Sequence, residues 1–430
     1  MTHRLPRAPL AWGAPTTPLA IAALLAPLAA VLQSRAMAPV ALVALMATVL
    51  LARRRQGSWP WPRGAALWAG LALGAWGALS GLWALEPSRA LTSGLSLAGL
   101  VLLTGAAVRA VGADHPGNRH RLGRALLAGL ALGLVAAALD HATNSGLRAA
   151  VRGLRAIPPE LAFGLKPAVS VLALLLPLLA GTLLPARLRV AFLVLGAAVV
   201  LWLPGDTAAI ALLAGLAVLA LASLEGWRHR PRILPAALGA AMAVTMLATP
   251  LVLPAVLAHL APVVERLPPS AIHRLVIWDF GLDAAAQKPL RGWGMEAARA
   301  LPGGREHPEP ERLARLGVHR PDLQVWFSAP HLELMPLHPH NGPLQIRLEL
   351  GWVGSLLAAA ALWLLALSAR GLAAAAAACG TIASAFVTFL ASFGVWQSWW
   401  LCSMALAAAF AAGLLPPDRS DGRVDTTLAL

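Results

Sequence analysis

The 430 residues are 58% hydrophobic and only 12% charged, and the mean hydropathy is +0.70. A soluble domain carries about 25% charged residues, so this composition excludes a water-soluble globular protein and a disordered one. The apolar residues come in runs, which indicates an all-α, polytopic membrane protein with a single helical bundle. The net charge of +15 points to cytoplasmic loops and anionic lipid surfaces rather than to nucleic acid.

Twelve apolar runs approach the ~20 residues that cross a bilayer core. The first, second and seventh runs are short, so the expected number of spans is ten to twelve. The predicted spans are 17–33, 37–52, 64–84, 91–111, 124–140, 167–184, 189–204, 207–224, 233–257, 345–368, 371–391 and 393–415. Cys379 and Cys402 both lie in such runs, so neither a disulfide framework nor a cysteine-based zinc site is predicted.

Basic residues in the short loops predict the orientation. With the N-terminus inside, the inner segments hold eighteen Arg residues and the outer ones only six basic residues, which places both termini in the cytoplasm. The outer six are Arg35, Arg89, Arg148, Arg152, Arg155 and Lys166. Three of these arginines follow a helical spacing in the segment 141–166, which is expected on the membrane surface.

One large hydrophilic segment, 258–344, falls on the outer side and separates a bundle of about nine spans (1–257) from three C-terminal spans and a short tail (345–430). It contains seven of the twelve histidines. Residues 270–287 have the period of an amphipathic helix, and 301–312 are rich in Pro and Gly, as in a mobile surface excursion. The apolar face of the amphipathic helix comprises Ile272, Leu275, Val276, Ile277 and Phe280.

The return into the membrane reads HPHNGPLQIRLELGWVG, residues 338–354. Asn341 is a good helix N-cap, and Pro343 falls in the first turn. His340 then lies beside the positive end of a helix dipole, which attracts phosphate and favours a neutral imidazole that can act as a base.

Two simpler interpretations of this segment remain open. It is also compatible with an ordinary helix start that carries two surface histidines. The His338–His340 pair is compatible with a metal site to which Glu333 or Glu349 adds oxygens, although no third ligand has a characteristic spacing. Arg347 and Glu349 are expected at the membrane boundary, snorkelling or paired with each other.

The pattern His340–Asn341, nine residues, Gly351, two residues, Gly354 resembles the signature of bacterial O-antigen ligases, part of a superfamily of undecaprenyl-diphosphate-glycan transferases. The number of spans and the position of the large loop resemble this family as well. Further similar stretches are Arg274–Trp278 (RLVIW), Pro289 with Gly292–Trp293–Gly294, and Phe393–Trp400 (FGVWQSWW).

The resemblance implies glycosyl transfer at the periplasmic face of the bacterial inner membrane, without metal or cofactor. The donor is a glycan on undecaprenyl diphosphate, and the acceptor in ligases is a sugar hydroxyl of the lipid A–core. His340 matches the family's base and Arg274 its diphosphate-binding arginine. A positioned base accelerates such a reaction about 10²–10⁴-fold, and a guanidinium fork suits phosphate oxygens.

The chain departs from the family at a second arginine. The corresponding stretch, 204–208 (PGDTA), has none, so Lys166 or Arg291 is the candidate second cation; both also fit simple snorkelling. Asp206 would repel a diphosphate if it pointed at one. Gln345 is expected to support the pocket beside Asn341. Arg274 also fits a headgroup anchor, and Trp396, Trp399 and Trp400 fit an interfacial belt or a lipid-carrier groove.

Three functions remain in view. The first is an O-antigen ligase. The second has the same chemistry with another acceptor: a polysaccharide polymerase or an O-linked protein oligosaccharyltransferase. The third is a polysaccharide or lipid transporter, which the nearly charge-free spans disfavour, because transporters place ionisable groups near the midplane.

Overall fold

The structure is a computed structural model that describes residues 12–112, 114–224, 233–372 and 374–415, and it is all-helical. The arginines outside these ranges that enter the predicted orientation are Arg4, Arg7, Arg228, Arg230, Arg232, Arg419 and Arg423. The α-helices are α1 (Thr16–Leu32), α2 (Met37–Gln56), α3 (Ala65–Leu79), α4 (Pro87–Gly112), α5 (Pro116–Ala142), α6 (Gly146–Val151), α7 (Leu165–Leu175), α8 (Ala186–Trp202), α9 (Asp206–Ser223), α10 (Ile233–Leu260), α11 (Pro269–Gln287), α12 (Pro310–Arg315), α13 (Pro321–Trp326), α14 (Gly342–Ser368), α15 (Ala375–Ala391) and α16 (Ser398–Leu414).

Each predicted span overlaps a helix, and the prediction of a polytopic helical membrane protein is confirmed. The predicted span 167–184 comprises α7 and the 3₁₀ helix Leu176–Gly181 that follows it. In the described ranges, eight helical segments are long and apolar enough to cross a membrane, and α1, α15 and α16 are apolar helices of 17 residues. The remaining predicted span is α8, also 17 residues long, with Arg187 and Arg189 in its first turn.

Contacts between helix ends agree with successive helices that alternate in direction. The start of α1 meets the α4–α5 connection, where the hydroxyl of Thr16 donates to Asp114 at 2.6 Å. At the opposite end of α1, Arg152 donates to the carbonyl of Leu32 at 3.1 Å. Gly205, before α9, packs against the backbone of Lys166 at the start of α7. The beginnings of α7 and α9 therefore lie at the same end of the bundle.

The large segment between α10 and α14 has an apolar core of its own. The amphipathic helix predicted over 270–287 is α11, and four of its five predicted apolar residues are buried. The segment 301–312 is anchored by two backbone hydrogen bonds, from Leu334 to Glu306 and from Met335 to Gly304. The core includes Val264, Ile272, Leu275, Val276, Leu313, Val318, Phe327, Leu332 and Leu334.

Helix α14 is broken inside the bundle. Gly351 has φ 66° and ψ −163°, which divides the helix into a short N-terminal half that ends at Leu350 and a longer C-terminal half. The chain from Pro289 to Gly294 crosses at the break, and the N–H groups of Trp352 and Gly294 bond across it at 3.0 and 2.8 Å. A Cβ at Gly351 would lie 2.2 Å from the carbonyl oxygen of Leu290. The glycine therefore permits both the turn and the close approach.

Three local expectations were wrong. The last span begins at Ser398 rather than 393, because residues 392–397 form a turn. Arg148 does not face lipid headgroups, because it is 1% exposed and bonds Asp140 at 2.7 Å. Glu349 is fully buried, so it neither snorkels nor pairs with Arg347 at the surface.

Candidate active site

The sequence Asn341–Gly342–Pro343 starts α14 as predicted. The Asn341 side chain accepts a hydrogen bond from the Leu344 N–H at 3.0 Å, and the proline falls in the first turn. His340 precedes this cap with φ 53°, in the left-handed region that few non-glycine residues adopt. The cap thus fixes the backbone from which the His340 ring projects.

The His340 ring is held by a backbone carbonyl. Its Nδ1 lies 2.6 Å from the carbonyl oxygen of Ser392, just beyond the C-terminal end of α15. A carbonyl oxygen can only accept, so Nδ1 carries the proton and donates it. In the neutral ring Nε2 then has the free lone pair, which is the arrangement a general base requires.

The surroundings of His340 favour the neutral ring. Burial lowers its pKa from 6.5 to about 4, and the positive charge of Arg274 and the ring of His273 act in the same direction, whereas the bond to Ser392 opposes them. The N-terminal end of α14 also disfavours an imidazolium. The ring is therefore neutral at physiological pH.

Arg274, in the first turns of α11, is held beside His340. Its Nη1 donates to the carbonyl oxygen of Ala391 at 3.2 Å, and Ala391 is the residue before Ser392. Burial lowers the pKa of Arg274, and the carboxylate of Asp206 partly opposes this, but a guanidinium stays charged in proteins. Consecutive carbonyls at the end of α15 thus hold the predicted base and the predicted cation.

His338 is buried behind His340. The two rings lie 4.2 Å apart between centroids, and the His340 N–H donates to Nδ1 of His338 at 3.3 Å. His338 packs against Gly394, and the carbonyl of the intervening Pro339 accepts from Nε1 of Trp278 at 2.8 Å. His338 therefore supports the backbone of His340. In the ranges that the structure describes, no three His, Cys, Asp or Glu side chains form a group that could hold a metal ion.

The two candidates for a second cation lie in different places. Lys166 is exposed at the start of α7, with its Nζ 5.5 Å from the ring centroid of Phe163, and its backbone packs on Gly205, next to Asp206. Asp206 in turn attracts Arg274. Lys166 therefore belongs to the same end of the bundle as Arg274.

Arg291 lies by the break in α14. Its guanidinium carbon is 5.6 Å from the ring centroid of Trp83, whose Nε1 donates to the Arg291 carbonyl at 3.3 Å. Among the described residues, no hydrogen bond or ion pair joins it to His340 or Arg274.

Gln345 points toward the interior rather than toward an open pocket. Its Oε1 accepts from the Val395 N–H at 3.0 Å, and its Nε2 donates to Glu349 at 3.1 Å. Trp396, predicted in an aromatic belt or groove, is buried and also donates to Glu349. Sequence reasoning missed this network because its partners are about 50 residues apart; the only signal was a carboxylate within an apolar run.

Arg347 is bound within the protein rather than paired with Glu349. Its Nη1 donates to the carbonyl of Pro289 at 2.8 Å, and its guanidinium carbon lies 4.5 Å from the ring centroid of Trp352. Arg347 therefore holds the segment 289–294 in place at the break in α14.

Residues 190–359, which contain the break and both site residues, match the family described as O-antigen ligase. Relatives from Rickettsia conorii, Rickettsia felis and Rickettsia prowazekii, each named "Putative polysaccharide ligase", are 29%, 26% and 26% identical. The matches cover 35% of this chain and 33%, 34% and 34% of these proteins, so the chain spans about a third of their length. No solved structure matches significantly. Over residues 190–359 the chain is therefore similar to the O-antigen ligase superfamily, the family that the sequence motifs resemble.

Proposed function

We propose that the protein transfers a glycan from undecaprenyl diphosphate to a sugar hydroxyl of the lipid A–core. The observation that carries this proposal is the paired support of His340 and Arg274 by the carbonyls of Ser392 and Ala391. This arrangement combines a neutral base, with its lone pair free, and a fixed positive charge. A hydroxyl nucleophile and an anionic leaving group require these two features.

In the proposed reaction, Nε2 of His340 takes the proton of the acceptor hydroxyl as its oxygen attacks C1 of the donor sugar. The bond from C1 to the diphosphate oxygen breaks, and undecaprenyl diphosphate leaves with the electron pair. The new glycosidic bond replaces it, so the protein needs no oxidant or reductant. Because the donor is already activated, positioning and charge stabilisation supply most of the acceleration.

Arg274 is the proposed primary ligand of the diphosphate. Among the described residues its one hydrogen bond is to Ala391, which leaves the other N–H groups of the fork for phosphate oxygens. Lys166 is the proposed second cation, since it lies beside Gly205 at the same end of the bundle. Arg291 is the weaker candidate because it lies against Trp83. In this proposal the cationic side chains perform the role that a metal ion has in other enzymes with a diphosphate leaving group.

The proposed location is the bacterial inner membrane, with the segment 258–344 and the active site in the periplasm. The basic residues of the short loops support this orientation, and the contacts between helix ends agree with the alternating helix directions that it requires. The break in α14 and the end of α15 then lie near the outer membrane surface, where a lipid carrier presents its diphosphate.

The proposal is tested by deleting the gene in its host and analysing surface lipopolysaccharide and lipid-linked intermediates. A ligase predicts lipid A–core without its glycan and accumulation of complete glycan on undecaprenyl diphosphate. Accumulation of single repeat units would instead indicate a polymerase, and loss of glycan from proteins alone would indicate an oligosaccharyltransferase. Unchanged lipopolysaccharide and intermediates would contradict all three.

A further inference from the structure

Glu349 is a buried carboxylate close to Leu350, where the N-terminal half of α14 ends. Four N–H groups point at its two oxygens. Oε2 accepts from the backbone of Glu296 at 2.8 Å and from Trp396 Nε1 at 2.5 Å. Oε1 accepts from Gln345 Nε2 at 3.1 Å and, more weakly, from the backbone of Ala298 at 3.4 Å. Both oxygens therefore act as hydrogen-bond acceptors, as those of an ionised carboxylate do.

Burying this carboxylate costs free energy of folding. An ionised group without water loses solvation energy that hydrogen bonds recover only in part. Within the described residues no arginine, lysine or histidine forms an ion pair with Glu349. An apolar side chain would fill the same volume without this cost. Buried charges retained in this way inside membrane proteins are concentrated at functional sites.

The contacts of Glu349 lead to His340 by two routes. Trp396 binds it directly, and Gln345 joins it to the N–H of Val395 at 3.0 Å. Both residues belong to the 392–397 turn, which begins at the carbonyl that holds the His340 ring. The same turn brings Gly394 against His338. A displacement of this turn therefore moves the acceptor that keeps the proton on Nδ1 of His340.

The N-terminal half of α14 also connects Glu349 to His340. His340 precedes its first residue and Glu349 lies near its end, about 13 Å along the axis. At that end the carbonyls of Leu348 and Glu349 accept from Trp293 and Gly294 at 3.1 and 2.8 Å. Both the backbone and the side chain of Glu349 are thus fixed by the chain from Trp293 to Ala298.

We propose, on the basis of the proposed transfer reaction, that Glu349 is a positioning residue for His340, acting through Gln345, Trp396 and the 392–397 turn. It touches neither donor nor acceptor. Its role is to place the Ser392 carbonyl so that the lone pair of Nε2 meets the acceptor hydroxyl.

The test is a double-mutant cycle of Glu349→Gln with His340→Ala, measured as glycan transfer by the full-length protein in membranes. An amide in place of the carboxylate puts an N–H group against N–H donors, and we expect kcat to fall about 10- to 100-fold. The KM for the lipid-linked donor should stay within about 2-fold, because Arg274 keeps its place on Ala391. In the His340→Ala background, Glu349→Gln should change turnover by less than about 2-fold, because the base it positions is gone.

If Glu349 only stabilises the fold, the double-mutant cycle gives a different result. If the two losses multiply, or if Glu349→Gln keeps wild-type kcat while His340→Ala is inactive, the positioning role is wrong and the proposed function stands. If His340→Ala itself keeps wild-type turnover, the proposed function fails. Asp322→Asn is the matched control, since this exposed carboxylate pairs with Arg320 and should leave transfer unchanged.

A second variant tests the same role if the Glu349→Gln protein does not insert into the membrane. Gln345→Met keeps the side-chain volume and removes the link to Val395, while Glu349 retains its other three donors. We expect the same loss of kcat in the wild-type background and none in the His340→Ala background. Wild-type kcat for this variant would overturn the route through the turn.

Discussion

His340 and Arg274 share one support, the last carbonyls of α15, although they are 66 residues apart in the sequence. A carbonyl is a fixed acceptor that no pH change in the working range alters. Two such acceptors on consecutive residues set the distance between a base and a cation with little freedom. Preorganisation of this kind contributes to catalysis because it requires no rearrangement during the reaction.

We predict that Arg274→Lys lowers kcat/KM for the lipid-linked donor by about 10-fold or more, although the charge is kept. Lysine offers a point charge and loses the planar fork, which here bonds Ala391 with one N–H and leaves others for phosphate oxygens. Initial rates with purified donor measure the effect. Arg305→Lys serves as control, because Arg305 is largely exposed and pairs with Glu333. Unchanged kinetics for Arg274→Lys would mean that the fork is not used.

The pH dependence follows from the lowered pKa of His340. The neutral ring is the active form, and burial, with Arg274 and His273, lowers the pKa to about 4, so the base stays active well below its usual 6.5. The buried His338 beside it adds no positive charge, since its own pKa is lowered to about 3, chiefly by burial. The donor diphosphate is esterified at both ends and does not titrate in this range. We predict that kcat/KM, which reports the free enzyme, is nearly constant between pH about 7.5 and about 5.5. A loss centred near pH 6.5 would contradict the buried, neutral base.

The break in α14 joins the membrane bundle to the segment 258–344. Its N-terminal half has His340 before one end and Glu349 near the other, and the chain from Pro289 to Gly294 crosses at the break. Broken helices of this kind occur inside membrane proteins only where other protein groups satisfy the freed backbone. Here the indole of Trp76 also donates to the Leu350 carbonyl at 3.1 Å.

We predict that Gly351→Ala destabilises the folded protein by about 1–3 kcal/mol or more, because φ is positive there and the new Cβ would lie 2.2 Å from a carbonyl oxygen. Thermal unfolding in detergent and the level of inserted protein measure this. Gly99→Ala is the control, since Gly99 lies in α4 with open space around its Cβ position. Equal stability of the two variants would show that the break is not required.

These elements also show how far sequence reasoning extends. The periodicity of Ile272, Leu275 and Val276 predicted α11 because one face must pack on a core. The cap at Asn341 was predictable because its chemistry is local. The 392–397 turn was not, because Phe393, Val395 and Trp396 have the composition of a span. What makes them a turn is hydrogen bonding to Gln345 and Glu349, which the order of residues does not reveal.

The proposed reaction requires that the segment 258–344 lies in the periplasm and both termini in the cytoplasm. The orientation is testable because Cys379 and Cys402 are both buried, so introduced cysteines are the reactive ones. We predict that Arg305→Cys is labelled by a membrane-impermeant maleimide added to cells with a permeabilised outer membrane. Arg54→Cys, at the end of α2, should be labelled only after lysis. The reverse pattern would place the candidate site in the cytoplasm, away from the proposed donor.

The most direct test of the central claim is the turnover of His340→Ala, measured as glycan transfer in membranes at equal protein levels. We predict normal insertion and a loss of at least about 10²-fold, the lower limit for a positioned base. His338→Ala should cost much less, and His307→Ala, an exposed histidine of the same outer segment, should cost nothing. Activity should also survive EDTA, since arginine and lysine are the proposed partners of the diphosphate. Near-wild-type turnover of inserted His340→Ala protein would contradict the claim that this residue is the base.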